Sequence, residues 1–214
     1  MQTHRPLPRL CFGEGAASGS RELPEEVAIA LSFNGSTQAV MMATPADLID
    51  FAYGFSLSEG IAAPDEIEGV EPVETPLGID LQIWLTPAAE ARLGKRRRSM
   101  AGPVGCGLCG IDSLEEVLRR PRKVPASSYQ ITPAEIMRAV AALPAKQKLH
   151  DLTRAVHAAG YWTGELVALR EDVGRHNALD KLSGHLIRAP LPPGAVVLTS
   201  RISIDMVQKA AALG

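Results

Sequence analysis

Two cysteines, Cys106 and Cys109, have the spacing and surroundings of reactive groups. Residues 105–110 read Gly-Cys-Gly-Leu-Cys-Gly, and glycine lets the backbone turn tightly and leaves the sulfurs uncrowded. A basic run, residues 95–98, precedes the pair, and the pattern predicts a helix directly after it. Positive charge and a helix N-terminus both favour the thiolate, which is the form that attacks sulfur or binds metal. The segment therefore indicates an exposed, reactive sulfur.

Three kinds of chemistry fit such a pair. A structural zinc site needs two more ligands, and the candidates form no second tight pair: His150, His157, His176 and His185. A thioredoxin-like dithiol follows an early strand of a βαβ unit, whereas this pair lies in the middle of the chain. A sulfur carrier holds a persulfide on one of the thiolates. Spacing alone leaves the three alternatives open.

Composition limits the class of protein and the cellular compartment in which this chemistry could take place. The chain has 22 basic and 24 acidic residues, a net charge of −2, which argues against a general nucleic-acid or membrane-surface binder. No apolar run reaches the roughly 18 residues of a membrane span, and no signal peptide is evident. Three cysteines, with Cys11 isolated, form no disulfide framework and suggest a reducing compartment. We expect a soluble, cytoplasmic protein.

A second group of polar residues follows the apolar strand predicted at residues 166–169. Residues 170–177 read Arg-Glu-Asp-Val-Gly-Arg-His-Asn and precede a predicted helix. Arg175 could hold a phosphate, and Asp172 and Asn177 could contact polar groups of a nucleotide-like ligand. The alternative is local and structural: Asn177 caps the helix, and Asp172 pairs with Arg175.

The same order of elements occurs again at residues 195–198, where an apolar strand is followed by Ser200, Arg201 and a helix from about Ser203. Two units of strand, polar loop and helix predict a parallel α/β sheet with both faces covered. Ligands of such sheets bind beyond the carboxyl ends of the strands. Ser200 and Arg201 are therefore expected to share a site with residues 172–177, which include His176.

Elsewhere the pattern predicts a loose leader at residues 1–24 and then a hairpin that turns at Asn34-Gly35. Thr44-Pro45 is expected to start a helix, with the Thr44 hydroxyl as its N-cap. Residues 121–130, with two prolines and two serines, read as a linker.

A second helix is predicted from Thr132, with an apolar stripe at Ile136, Val140 and Leu143. The predicted organisation is an N-terminal α+β part, residues 25–121, and a C-terminal α/β domain, residues 131–214. The cysteine loop, residues 102–110, belongs to the first part.

Several of these segments together resemble the FdhD family, whose members are sulfur carriers required for formate dehydrogenase activity. The match covers nearly all of residues 25–214. The matching segments are residues 105–110, residues 170–181, residues 206–210, Asn34-Gly35, residues 42–45 and residues 54–60.

The resemblance implies that a cysteine desulfurase delivers sulfur to Cys106 as a persulfide, with Cys109 assisting relay or release. The recipient would be the molybdenum cofactor of formate dehydrogenase, in its bis(molybdopterin guanine dinucleotide) form, bound transiently as the substrate of sulfuration. The C-terminal domain would have a cytidine deaminase-like fold whose loops contact the nucleotide. A homodimer and the formate dehydrogenase catalytic subunit are the other implied partners, with no nucleic acid, membrane or permanent metal.

The chain also departs from the family pattern. Arg154-Ala155 stands where the family usually has two glycines, and Thr199-Ser200-Arg201 stands where Ser-Gly-Arg is common. Because the family continues beyond residues 206–210 with further strands and helices, the C-terminal domain is expected to lack its last segment. The main alternative is a non-catalytic chaperone that binds the cofactor or the apo-enzyme. A zinc deaminase is disfavoured because no histidine is followed two residues later by glutamate.

Overall fold

The computed structural model describes residues 1–13, 15–99, 123–189 and 191–214. Cys106, Cys109 and the helix predicted after them lie outside the described residues. The strands are β1 (His4–Phe12), β2 (Ala16–Pro24), β3 (Val27–Phe33), β4 (Ser36–Ala43), β5 (Ile67–Thr75), β6 (Gly78–Leu85), β7 (His157–Trp162), β8 (Leu166–Asp172) and β9 (Ala195–Leu198). The helices are α1 (Leu48–Ser58), α2 (Pro87–Ser99), α3 (Pro133–Ala142), α4 (Lys148–Thr153), α5 (Arg175–Arg188) and α6 (Ile204–Leu213), and short 3-10 turns lie at Pro64–Glu66 and Pro144–Lys146.

The first large sheet has the strand order β4-β3-β6-β5. β3 and β6 are parallel neighbours, and the two outer pairs are antiparallel. Alternate side chains of the two central strands are buried on one face, because side chains of a strand point to opposite faces in turn. The predicted hairpin between β3 and β4 is confirmed: Asn34 and Gly35 have φ angles of 46° and 77°, as a tight two-residue turn requires.

Helix α1 covers the buried face of this sheet with Phe51 and Phe55. The prediction that Thr44 caps it is wrong, because α1 begins at Leu48 and its N-cap position is Asp47, in a left-handed conformation. Thr44 is fully buried, and its polar groups bond to Asp172 and Val173 instead. A contact with a segment almost 130 residues away thus replaces the local cap.

The second large sheet has the order β8-β7-β9. Both pairings are antiparallel, so the prediction of a parallel sheet is wrong for the described strands, although the α/β class is confirmed. The sequence does not identify β7 as the central strand, because His-Ala-Ala-Gly-Tyr-Trp has no clear alternation of apolar and polar residues. β8 and β9 still run in the same direction, since each is antiparallel to β7. Their carboxyl ends therefore lie at one edge of the sheet, as expected if the polar loops that follow the two strands share one site.

Helices cover both faces of this sheet. α5 and α6 pack on one face through Leu179, Leu182 and Met206, and α3 packs on the other through Ala139 together with Leu143, which follows the helix. The helix start predicted at Thr132 is confirmed, and reciprocal bonds between Thr132 and Glu135 form a capping box there. The predicted apolar stripe is wrong at two of its three positions: Ile136 and Val140 are 47% and 48% exposed. Small Ala139 faces the sheet in their place.

The two large sheets are joined by the crossing of α1 and α5. A Cβ atom on Gly54 would lie 1.7 Å from the Asp180 carbonyl oxygen, and one on Gly184 would lie 1.8 Å from that of Asp50. Only glycine permits such a close approach of two backbones. The crossing is therefore fixed by one glycine on each helix.

The N-terminal segment differs from its prediction as a loose leader. β1 and β2 pair along their whole length, from His4↔Pro24 to Phe12↔Ala16. Arg21 ties the hairpin to the C-terminal half by donating to the carbonyl of Thr153, at 3.1 Å. Most of its residues are exposed, so no buried apolar pattern marks the strands in the sequence. Among the described helices, none is long and apolar enough to cross a membrane.

Candidate ligand site at the polar edge

The carboxyl ends of β8 and β9 bring two polar segments together at the start of β7. We call residues 172–177 and 199–205 the polar edge. Thr199 joins it to β7, because its Oγ1 accepts from the backbone N–H of Ala158 at 2.8 Å. The polar edge contains all six residues that the sequence predicts as ligand contacts: Asp172, Arg175, His176, Asn177, Ser200 and Arg201.

Asp172 is the structural centre of the first segment. Its carboxylate is fully buried, and Oδ1 accepts from the Gly174 N–H at 2.7 Å and from Asn177 Nδ2 at 3.0 Å. Oδ2 accepts from the Thr44 N–H at 3.0 Å and from Lys181 Nζ at 2.6 Å. Four donors saturate a carboxylate, so the hydrogen-bonding capacity of Asp172 is used inside the protein.

Asn177 takes part in the same buried network. Its side chain also donates to the carbonyl of Met42, at 2.9 Å. The N-cap position of α5 is Gly174, so Asn177 is not the cap that the local alternative required. Asp172 pairs with Lys181 rather than with Arg175. Asp172 and Asn177 shape the backbone of the polar edge and connect it to the end of β4.

His176 links the two segments of the polar edge. Its Nε2 lies 2.7 Å from Oδ2 of Asp205, at the start of α6, and Ser203 donates to the same oxygen at 3.2 Å. Partial burial by itself would raise the pKa of Asp205, but its own backbone N–H and the bonds from His176 and Ser203 outweigh this and lower the pKa. The Asp205 carboxylate is therefore charged at neutral pH and orients the His176 ring.

Arg175 lies at the first position of α5, where backbone N–H groups lack helical partners. Its Nε atom is buried and has no hydrogen-bond partner among the described residues. Burial lowers the pKa of the neighbouring His157, and the positive charge of Arg175 lowers it further. His157 is thus neutral near pH 7, and Arg175 provides the local positive charge.

Ser200 and Arg201 form the other side of the polar edge. Arg201 is exposed, and the Ser200 hydroxyl donates to the Arg201 carbonyl at 3.2 Å. Two arginines and a helix N-terminus provide, beside the Asp205 carboxylate, positive charge and backbone N–H donors that suit a phosphate group. A buried guanidinium nitrogen without a partner fits the same ligand class, since an arginine donor normally bonds when it leaves water.

Sequence reasoning missed three residues that hold this site: Thr44, Lys181 and Asp205. Lys181 lies nine residues after Asp172, and its fully buried ammonium also donates to the Thr44 carbonyl, at 2.8 Å. Two turns into a predicted helix, a lysine is ordinarily taken as a solvated residue. Its partners Thr44 and Phe51 lie at least 130 residues away in the chain, so no local pattern identifies Lys181 as the buried anchor of Asp172.

Fold and site define a mixed α/β protein in which two sheets are joined by a helix crossing and a polar edge lies on the second sheet. The model of the FdhD/NarQ family matches residues 24–214. A protein of Agrobacterium fabrum named "Sulfur carrier protein FdhD" is 50% identical over 99% of this chain and 80% of its own length. A Brucella abortus protein of the same name is 54% identical over 94% of this chain and 76% of its own.

A crystal structure from Desulfotalea psychrophila has a similar fold. It carries the provisional name of a formate dehydrogenase accessory protein, and it superposes with a TM-score of 0.73 at 25% identity, covering 100% of this chain and 81% of its own. The chain belongs to the FdhD/NarQ family.

Proposed function

We propose that this protein carries sulfur from a cysteine desulfurase to the molybdenum cofactor of formate dehydrogenase. Its curated relatives are named sulfur carriers, and the solved relative bears the name of a formate dehydrogenase accessory protein. The glycine-flanked pair Cys106 and Cys109, beside the basic residues 95–98, supplies the chemistry. Cys106 is the carrier residue in this proposal.

Loading is a transfer between thiols. The Cys106 thiolate attacks the outer sulfur of the persulfide on the desulfurase, so that a new S–S bond forms on Cys106. The donor's S–S bond breaks, and its cysteine leaves as a thiolate. No net oxidation occurs, because the reactants and the products each consist of one persulfide and one thiolate.

Release needs two electrons, since the carried sulfur leaves as sulfide. The Cys109 thiolate attacks Sγ of Cys106, a Cys106–Cys109 disulfide forms, and hydrosulfide departs toward the cofactor. The two cysteines are oxidised as the carried sulfur is reduced, and a dithiol reductant restores them. Cys109 is thus a resolving cysteine.

The polar edge holds the phosphate-bearing nucleotide part of the cofactor, which is the substrate here. The observation that carries this assignment is the buried Arg175 Nε, without a partner among the described residues, at the N-terminus of α5. Arg201 adds a second positive charge from the other segment. Asp172 and Asn177 act from inside the protein by shaping the loop that presents Arg175.

Mass spectrometry tests the carrier step. After incubation with a cysteine desulfurase and cysteine, we expect an adduct of about 32 Da, one sulfur atom, on Cys106. The adduct should be absent in Cys106→Ala, present in the matched control Cys11→Ala, and retained longer in Cys109→Ala. Full formate dehydrogenase maturation by Cys106→Ala would reject the proposal.

Nucleotide binding tests the polar edge. We expect guanosine diphosphate to bind, and Arg175→Gln to weaken its affinity about tenfold through loss of a charge-assisted bond. Arg154→Gln, an exposed arginine at the end of α4, is the matched control and should bind as the wild type does. Maturation that survives loss of Cys106 but not of Arg175 would instead indicate a chaperone that only holds the cofactor.

A further inference from the structure

Lys209 lies on α6 and is almost entirely buried, although neither the carrier step nor the nucleotide contacts use it. Its side chain is 12% exposed, and Nζ donates to Oδ2 of Asp180 at 2.9 Å and to Oε1 of Glu59 at 2.8 Å. Ser58 is a third partner, at 2.9 Å, and it donates in turn to Asp180 Oδ1 at 2.7 Å. One ammonium thus joins the end of α1, the middle of α5 and the middle of α6.

The spacing of these contacts is regular. His176 and Asp180 are four residues apart on α5, and Asp205 and Lys209 are four residues apart on α6. Residues four apart lie on the same face of a helix, one turn from each other. The pairs His176–Asp205 and Asp180–Lys209 are therefore successive rungs between two helices that run in the same direction.

The order of charges along the rungs fixes the alignment of the helices. A slide of α6 by one turn in one direction would place Asp205 beside Asp180, and the opposite slide would place Lys209 beside His176. The first shift opposes two carboxylates, and the second leaves Asp180 buried without its lysine. Both shifted alignments are therefore unfavourable, and this specifies the register of the helices as much as the attractive pairs do.

In the part of the chain that the structure describes, α6 buries few of its own side chains. Met206 and Ala211 are its only buried residues among those described, whereas Ile204 and Val207 are 52% and 45% exposed. Burial by itself would lower the pKa of Lys209, but Asp180 and Glu59 outweigh it and raise the pKa, so the lysine stays charged. An ammonium with three anionic or polar partners is thus a polar anchor of the helix.

We propose that Lys209 is a positioning residue for the polar edge: it sets the register of α6 on α5, and thereby places Asp205 against His176. The relevance to nucleotide binding rests on the proposed function. The placement of Asp205 against His176 does not rest on the proposed function, because it is a contact between two side chains of this protein and involves no ligand.

The test is a comparison of full-length variants by NMR of the His176 ring and by guanosine diphosphate affinity. In Lys209→Met we expect the ring ¹⁵N signals of His176 to shift as they do in Asp205→Asn, where the hydrogen bond is removed directly. Nucleotide affinity should fall about tenfold in both variants, as expected for the loss of one charge-assisted bond. Ile83→Val, a core change in the first sheet, is the control for general destabilisation and should leave the ring signals unchanged.

A milder variant keeps the test valid if Lys209→Met fails to fold. Glu59→Gln weakens the lysine cluster without leaving Asp180 unpaired, and it should shift the His176 signals in the same direction by less. Wild-type His176 signals in both Lys209→Met and Glu59→Gln would overturn the proposal. If the wild-type protein binds no nucleotide, the proposed site fails, while the ring signals still decide whether Lys209 positions Asp205.

Discussion

Lys181 and Asp172 form an ion pair in which neither side chain has exposed surface. Removing two charges from water costs several kcal/mol per ion, and their mutual attraction offsets this only with good geometry and further hydrogen bonds. Thr44 provides those bonds to both partners, through its carbonyl to Lys181 and its N–H to Asp172. The pair therefore depends on residues from both halves of the chain.

Replacing Lys181 by methionine should lower the free energy of unfolding by about 3–5 kcal/mol, because it leaves the Asp172 carboxylate buried without a counter-charge. Denaturant unfolding measures the loss. The double variant Lys181→Met/Asp172→Asn should recover part of it, since the buried charge is gone. Lys148→Met, at the exposed start of α4, should change stability by less than about 0.5 kcal/mol; a Lys181 variant as stable as this control would refute the argument.

Two histidines make stability depend on pH. Burial lowers the pKa of His157 and His185 below the ordinary value of 6.5, and nearby arginines lower it further. Below pH 6.5 the unfolded chain binds protons that the folded protein does not, so stability should fall as the pH decreases from this value.

Urea midpoints measured from about pH 7 down to pH 5.5 test this slope. The double variant His157→Gln/His185→Gln should show a shallower decline than the wild-type protein, because neither state can then take up these protons. An identical slope in the two proteins would contradict the expected pKa shifts.

At the scale of elements, the crossing of α1 and α5 is the contact on which the assembly of the two sheets depends. Gly54 and Gly184 let the backbones meet without intervening side chains. The polar contacts of Asp50 flank this crossing, since its carboxylate accepts from Arg170 and Arg188 at 2.7 Å each.

Gly54→Ala should destabilise the protein by about 1–3 kcal/mol or more, because the new methyl group meets a backbone oxygen that cannot move without separating the helices. Thermal unfolding provides the measurement. Gly94→Ala in α2 is the matched control: a Cβ there meets no atom of the described residues within 4 Å, and alanine should instead add up to about 1 kcal/mol through its helix preference. Equal effects of the two substitutions would show that close packing is not the cause.

The elements that sequence predicts well are those specified locally. Asn34-Gly35 defines its own turn, and Thr132 and Glu135 define the start of α3 through contacts three residues apart. Thr44 has the same local signature as Thr132, yet its groups bond across the molecule to Asp172, which no local pattern reveals. Likewise, the sequence located the polar edge from the ends of β8 and β9, but it could not show that Asp172 and Asn177 face inward.

The whole molecule contains two tryptophans, and the two large sheets have one each. Trp84 lies on β6 and is 39% exposed, whereas Trp162 lies on β7 and is 4% exposed. Because α1 and α5 join the sheets closely, neither sheet is expected to unfold alone.

Single-tryptophan variants, Trp84→Phe and Trp162→Phe, can report on the sheets separately. We expect the fluorescence transitions in denaturant to have the same midpoint, after correction for the effect of each substitution measured by circular dichroism. In the Gly54→Ala background the two midpoints should separate. Separate midpoints in the wild-type background would mean that the sheets are independent units.

The glycine crossing also has a consequence during synthesis on the ribosome. Gly54 and Gly184 are 130 residues apart, and translation at about 5–20 residues per second takes roughly 6–26 s to make the intervening chain. Throughout that interval, the face of α1 that will meet α5 has no partner, although all four strands of the first sheet have been made once residue 85 is added. Cys106 and Cys109 are also made within it, so both thiols leave the ribosome before the two halves of the protein can close on each other.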